Sequence, residues 1–161
     1  MHSSRGTEPV ATQHRLRVCD EAPDSDDARA LLAELSARLA AITGDSGQSS
    51  FSADDLHDAR AAFVVARNAQ GKALGCGALR PLGDAVAEVK RMFAREGHAG
   101  VGTAVLAQLE ATAHRLGYRT LWLETRRVNV RAVDFYLARG YRERAPYGRY
   151  IGRPEAICFE K

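Results

Sequence analysis

The chain has 161 residues, a formal net charge of +3, and ordinary apolar (45%) and charged (27%) fractions. A chain of this size buries roughly 70% of its unfolded surface in one core. Without a block of like charges it carries no nucleic-acid arm, and it has no run of about 18 apolar residues to cross a membrane. The three cysteines, Cys19, Cys76 and Cys158, are widely spaced and predict buried free thiols. The histidines show no ligand spacing, so no metal is expected. "MHSSRGTEPVATQH" lacks an apolar leader segment. The expectation is a cytoplasmic protein with a flexible lead-in over residues 1–13 and a single domain over 14–161.

Taken in chain order, "HRLRVCD" (14–20) alternates, with Leu16 and Val18 on one face, and predicts a half-buried strand. A helix follows. Asp24 or Ser25 caps it, Asp26 and Asp27 suit its dipole, Leu31, Leu32, Leu35, Leu39 and Ile42 form its stripe, and Gly44 stops it. Residues 44–60, "GDSGQSSFSADDLHDAR", read as a long polar loop with a turn of helix at "SADDLHDA". "FVVAR" and "KALGCGAL" form a hairpin around "NAQG", with Gly75 and Gly77 marking a bulge or a close approach.

"AVAEVKRMFA" (85–94) predicts a strand with Val86, Glu88, Lys90 and Met92 on one face and Ala87, Val89, Arg91 and Phe93 on the other. In "REGHAGVGTAVLAQLE" (95–110) a glycine turn runs into a helix whose stripe is Val101, Val105, Leu109, Ala113 and Leu116. "YRTLWLETR" is a strand. "NVRAVDFYLARGY" is a helix capped by Asn129 and stopped at Gly140. "YRERA" and "AICFEK" close the chain as strands. The order gives an α+β fold with a mixed, mostly antiparallel central sheet flanked by helices.

The turn before Val101 points unpaired N–H groups out of a helix N-terminus, a physical anion site needing no cation. The sequence lacks both the P-loop pattern and the third glycine of the dinucleotide fingerprint. Alone, this turn serves equally as a tight strand-to-helix connection.

"NVRAVDFYLARGY" changes that balance. Asn129, Ala132, Phe135, Tyr136, Gly140 and Tyr141 match the N-x-x-A-x-x-(F/L)-Y-x-x-x-G-(F/Y) helix of the GNAT superfamily of acyl-coenzyme A-dependent N-acetyltransferases. Gly100 and Gly102 match the glycines of that family's Q/R-x-x-G-x-G/A loop. From about His14 to its end the chain therefore resembles this family, particularly a bacterial small-molecule branch. One departure is that Gly97 stands at the Q/R position, leaving Arg95 as a displaced cation.

The resemblance implies acetyl-coenzyme A as co-substrate, a small-molecule amine as acceptor, and a possible homodimer. It places the pantetheine arm along the backbone of Met92, Phe93 and Ala94, and the pyrophosphate on the N–H groups around Ala99, Gly100, Val101, Gly102 and Thr103, with Arg95 nearby. Asn129 lies near the cofactor arm and Tyr136 near the thioester sulfur. Tyr136 then serves as acid and Glu88 as base, with Glu124 second. Their structural alternatives are a packing aromatic for Tyr136 and an ion pair with Lys90 or Arg80 for Glu88. The functional alternative is a non-catalytic acyl-coenzyme A-binding module. Arg149, Tyr147 and Tyr150 suit a carboxylate-bearing amine, or are simply solvated surface and packing groups.

Overall fold

The computed structural model describes residues 15–161. The lead-in expected over 1–13 lies outside the described residues. A seven-stranded sheet is formed by β1 (Arg17–Asp20), β2 (Ala62–Arg67), β3 (Ala73–Pro81), β4 (Val86–Ala94), β5 (Thr120–Arg126), β6 (Arg142–Arg144) and β7 (Ala156–Glu160). Its order is β1-β2-β3-β4-β5-β7-β6. Every neighbouring pair is antiparallel except β4 and β5. That one parallel pair follows from the helix between them, which carries the chain back to the start of the sheet.

The helices are α1 (Asp26–Thr43), α2 (Val101–Arg115) and α3 (Val130–Ala138). Their ends obey local chemistry. Ser25 caps α1 by accepting from the Ala28 N–H, and Gly44 ends it at φ 79°. Of the expected stripe of α1, Leu31 and Leu35 are buried alongside Ala28, Leu32 and Leu39 pack partly buried against them, and Ile42 is exposed. Short 3-10 turns at Gln48–Ser50 and Ala53–Leu56 interrupt the polar 44–60 loop.

The sheet has a different core on each side. One face packs Val64, Leu79, Val89, Leu123 and Phe159 under α2 and α3; the other packs Phe63, Val65, Cys76, Ala78 and Phe93 under α1. Each fully buried Leu or Val contributes about 1.5–3 kcal/mol. Gly75 and Gly77 let α2 lie close to β3. A Cβ at Gly77 would stand 2.8 Å from both Val105 Cγ1 and Met92 Sδ, and one at Gly75 would stand 2.5 Å from Val101 Cγ1. All three cysteines are free, as expected, but Cys19 is exposed because β1 is an edge strand with exposed positions at both ends.

Candidate active site

The site begins where two strands part. β4 and β5 pair only through Val86↔Thr120, Ala87↔Leu121 and Glu88↔Trp122. Beyond that, β4 stays with β3 as far as Gly75↔Ala94, and β5 stays with β7 as far as Arg126↔Ala156. The facing edges of Val89–Ala94 and Leu123–Arg126 therefore have no ladder between them, and the sheet splits.

A bulge on β4 sharpens the split. Its register with β3 jumps from Ala78↔Lys90 to Cys76↔Phe93, so Arg91 and Met92 together face Gly77. Arg91 has φ 53°, the one positive value at a non-glycine among the described residues. Such a conformation costs on the order of 1–3 kcal/mol and persists only where the surroundings fix it. Here the guanidinium does so. It donates to Ser36 Oγ at 2.6 Å and to the Leu32 and Ser46 carbonyls at 3.2 Å each, tying β4 to α1 and to the 44–60 loop.

The bulge corrects the expected pattern of faces. The extra residue reverses the alternation, so Met92 packs with Ala87 and Val89 toward α2, away from Glu88. Glu88 is fully buried. It accepts from Arg80 Nε at 2.7 Å and from the Tyr147 hydroxyl, and Lys90 Nζ stands 3.9 Å away. The structural alternative of an ion pair is thus realised, and Glu88 is absent from the wall of the cleft.

The cleft holds about 930 Å³, counted out to its open mouth. It is lined by Val89 to Met92 of β4, Glu124 to Arg126 of β5, Asn129, Ala132 and Tyr136 at α3, and Arg149, Tyr150 and Arg153, together with residues of α1 and the 44–60 loop. Glu124 differs sharply from Glu88. Its Oε1 is buried and finds no hydrogen-bond donor among the described residues, and the nearest cation, Arg126 Nε, stands 4.0 Å away. Burial raises its pKa above the usual carboxylate range against the opposing pull of Arg126 and Lys90. Lys90 is itself nearly buried and donates to the Tyr150 hydroxyl at 2.9 Å; burial lowers its pKa.

Tyr136 packs edge-on to Phe135 and Tyr141, and burial raises its pKa, so the phenol stays protonated at neutral pH. Asn129 caps α3 by accepting from the Ala132 N–H at 3.3 Å. Met92 falls in the bulge, whereas Phe93 and Ala94 return to the β3 ladder, and the Ala94 carbonyl accepts from Arg38 Nη1 at 3.0 Å.

The glycine turn has the expected form. Gly100 precedes α2 at φ 80° with no side-chain cap, and residues 96–100 are exposed. Among the described residues, no backbone N–H from Glu96 to Thr103 donates to a backbone acceptor. A Cβ at Gly102 would stand 3.3 Å from the Phe135 ring, so the motif helix itself closes over the turn.

Arg95, expected near the pyrophosphate, points away from the turn in this structure. Its guanidinium reaches the other way, to Glu34 at 2.7 and 2.9 Å and to the Ala73 carbonyl at 2.7 Å. Two cations that the sequence reading did not single out stand here: Arg131, 3.5 Å from Glu96 in the turn, and Arg139 beside the first turn of α2. Arg139 stacks 3.9 Å from the Phe135 ring centroid and donates to Thr103 Oγ1 at 3.0 and 2.5 Å. The available signal was its position four residues after Phe135, on the same helix face. His98 is exposed, Phe135 lies against Gly102, and Trp122 is partly buried. Among the described residues no group of His, Cys, Asp and Glu is arranged to hold a metal, and no helix is long and apolar enough to span a membrane.

Comparison with known proteins agrees with this architecture. Residues 24–141 match the model of the Acetyltransferase (GNAT) family. An IAA acetyltransferase of Azospirillum brasilense is 33% identical over 102 residues, which are 62% of this chain and 66% of that protein. An N-acetyltransferase of Schizosaccharomyces pombe is 32% identical over 88 residues, 53% of this chain and 54% of that one. The aligned regions thus span 66% and 54% of the length of these relatives. Among solved structures, an acyl-CoA N-acyltransferase from Klebsiella pneumoniae superposes with a TM-score of 0.76 at 28% identity, covering 91% of this chain and 96% of that one. A GNAT acetyltransferase from Elizabethkingia anophelis, solved with acetyl-CoA bound, shares the fold with a TM-score of 0.65 at 15% identity over 90% of this chain and 96% of that one.

Proposed function

Because the chain belongs to the GNAT acetyltransferase family, we propose that it transfers an acetyl group from acetyl-coenzyme A to the primary amine of a small molecule, by direct attack in a ternary complex. The observation that carries this reading is Glu124, which lines the cleft where β4 and β5 part and whose buried Oε1 has no hydrogen-bond donor among the described residues.

The residues present fit the donor substrate. The free N–H groups at Ala99 to Thr103 and the α2 dipole suit a pyrophosphate, and Arg139 adds the side-chain cation that Arg95 does not. The β4 edge from Val89 to Ala94, unpaired on its β5 side, offers main-chain groups to a pantetheine arm as an added strand would, with Met92, Phe93 and Asn129 alongside. Acetyl-coenzyme A supplies the activated acyl thioester.

The protein's own groups handle the protons. Glu124, directly or through a water, takes a proton from the incoming ammonium; its raised pKa brings it nearer the working pH than an ordinary carboxylate. The amine nitrogen then forms its bond to the acyl carbon as the carbon–sulfur bond breaks; the Tyr136 hydroxyl donates a proton to the leaving sulfur, and the second proton shed by the nitrogen as it becomes an amide restores the phenol through water. A β4 backbone N–H in the bulge region polarises the acyl oxygen. Glu88 takes a positioning part, fixing Arg80, Lys90 and Tyr147 behind the wall.

Calorimetry with acetyl-coenzyme A and thiol release across an amine panel test this. The expected result is binding and turnover. No binding sinks the reading, and binding without turnover across the panel points instead to a non-catalytic acyl-coenzyme A module.

A further inference from the structure

The charges of the cleft do not balance. Lys90, Arg91, Arg126, Arg149 and Arg153 line it, against only Asp45 and Glu124. Following each cation to its partner shows which charges are already spoken for. Arg126 is shared by Asp45 at 3.3 Å, Glu155 at 3.1 Å and, more distantly, Glu124 at 4.0 Å. Lys90 stands 3.9 Å from Glu88, a carboxylate already held by Arg80 at 2.7 Å.

The remaining three have no carboxylate at ion-pair distance among the described residues. Arg91 donates only to carbonyls and to the Ser36 hydroxyl. Arg149 donates to the Ser49 carbonyl at 2.9 Å. No side-chain hydrogen bond or ion pair engages the exposed Arg153. Solvent-facing arginines at a rim are cheap, but Arg91 is a half-buried guanidinium held on neutral acceptors, which is costly unless something anionic shares its field.

We propose, on the basis of the acetyltransferase reading above, that the acceptor is an amine carrying an anionic group. That group is a carboxylate or a phosphonate, held by Arg149 and Arg153 in the field of Arg91 and Lys90, while the amine faces Glu124. The chemistry is complementary at both ends. A guanidinium fork matches the two oxygens of an oxyanion, and the single unbonded carboxylate in the cleft is the acceptor for an ammonium. The same field repels polyamines and aminoglycosides, whose charges are all positive.

The test measures thiol release from acetyl-coenzyme A with amino acids and ω-amino acids, each beside its carboxamide and its aminoalkylphosphonate analogue, with spermidine and kanamycin as cationic controls. At least one anionic amine is expected to exceed its carboxamide by about 10-fold or more in kcat/KM, since a charge-assisted hydrogen bond contributes about 1.5–3 kcal/mol. The phosphonate arm distinguishes a planar from a tetrahedral oxyanion. In the R149Q/R153Q double variant, KM for that amine rises about 10-fold while kcat and the carboxamide's constants stay within about 3-fold. Both substitutions lie on exposed side chains, so folding is preserved.

Preference for carboxamides or cationic controls, no turnover of any anionic amine, or an unchanged KM in the double variant overturns the inference. If neutral or cationic amines are still acetylated, only the inference fails. If acetyl-coenzyme A neither binds nor turns over with any amine, the acetyltransferase reading fails and takes the inference with it.

Discussion

The turn before α2 and the wall of the cleft between β4 and β5 both gather positive charge, by different means. At the turn, the charge is mainly backbone: free N–H groups from Glu96 to Thr103 and a left-handed Gly100, flanked by the guanidinium of Arg139 and by that of Arg131, which pairs with Glu96 at 3.5 Å. In the cleft it is side chain: Lys90, Arg91, Arg126, Arg149 and Arg153, drawn from β4, β5 and the segment before β7. A backbone site is written in a short stretch of sequence, keeps its shape as neighbouring side chains change, and suits a ligand that does not change. A side-chain site is assembled from distant segments and can be retuned one residue at a time. The division suits an enzyme with a constant donor and a variable acceptor.

Glu124→Gln probes the side-chain half most severely. Replacing the base with an amide of the same shape should lower kcat by about 10²–10⁴-fold while leaving acetyl-coenzyme A affinity unchanged. In the wild type, activity should fall as pH drops through a pKa above the ordinary carboxylate range, because burial favours the protonated form. The stability consequence has a definite sign. A raised folded-state pKa means that the contribution of Glu124 to folding is fully present below the unfolded value of about 4.3 and is lost as pH rises through the folded value. The glutamine variant should therefore melt higher than wild type at neutral pH, and the gain should vanish in acid. A variant that loses activity but melts lower at neutral pH would make Glu124 a structural group.

The backbone half is broken by filling it. Gly102→Val places a branched side chain where even a Cβ stands 3.3 Å from the Phe135 ring. It should weaken coenzyme A binding by about 100-fold, the loss of one or two charge-assisted hydrogen bonds, with little change in kcat at saturation. Arg139→Ala removes only the flanking cation. Its effect should be smaller, about 5–10-fold in affinity, and should shrink as salt is added because the guanidinium is solvent-accessible. Isothermal titration at two ionic strengths checks both variants. An Arg139 effect as large as that of Gly102 would make the turn a side-chain site after all.

The same division explains what the sequence disclosed. Elements with local signals were legible: the Ser25 cap, the Gly44 stop, the hairpin at "NAQG", and the close approach marked by Gly75 and Gly77. So was the glycine turn, once the Asn129–Tyr141 motif gave it context. The bulge was not. Strand periodicity assumes two residues per repeat, and "EVKRMF" contains no glycine to announce the positive φ at Arg91, which depends on Ser36, Leu32 and Ser46 far away in the chain. Missing that one residue put Met92 on the Glu88 face and made Glu88 look like a wall residue. The exchange of Arg95 for Arg139 has the same origin. Both lie within reach of the turn along the chain or the helix, and only tertiary packing decides which one faces it.

Arg95→Ala is the mildest substitution and separates those two arginines. Its guanidinium is committed to Glu34, with side chains 26% and 47% exposed, and to the Ala73 carbonyl, so it ties the end of β4 to α1 and β3. An ion pair this open contributes about 0.2–1 kcal/mol, and in a chain of this size the melting temperature should fall by about 2–4 °C per kcal/mol lost. Coenzyme A affinity should stay within about 2-fold of wild type, because the N–H groups of the turn and Arg139 remain in place. Combined with Arg139→Ala, the two affinity effects should simply add, leaving the double variant within about 2-fold of Arg139→Ala alone, since the residues share no partner. A clear loss of affinity in Arg95→Ala would mean that its contact with Glu34 breaks when the donor binds and that the turn recruits this cation, restoring the family's side-chain ligand two residues from its usual place.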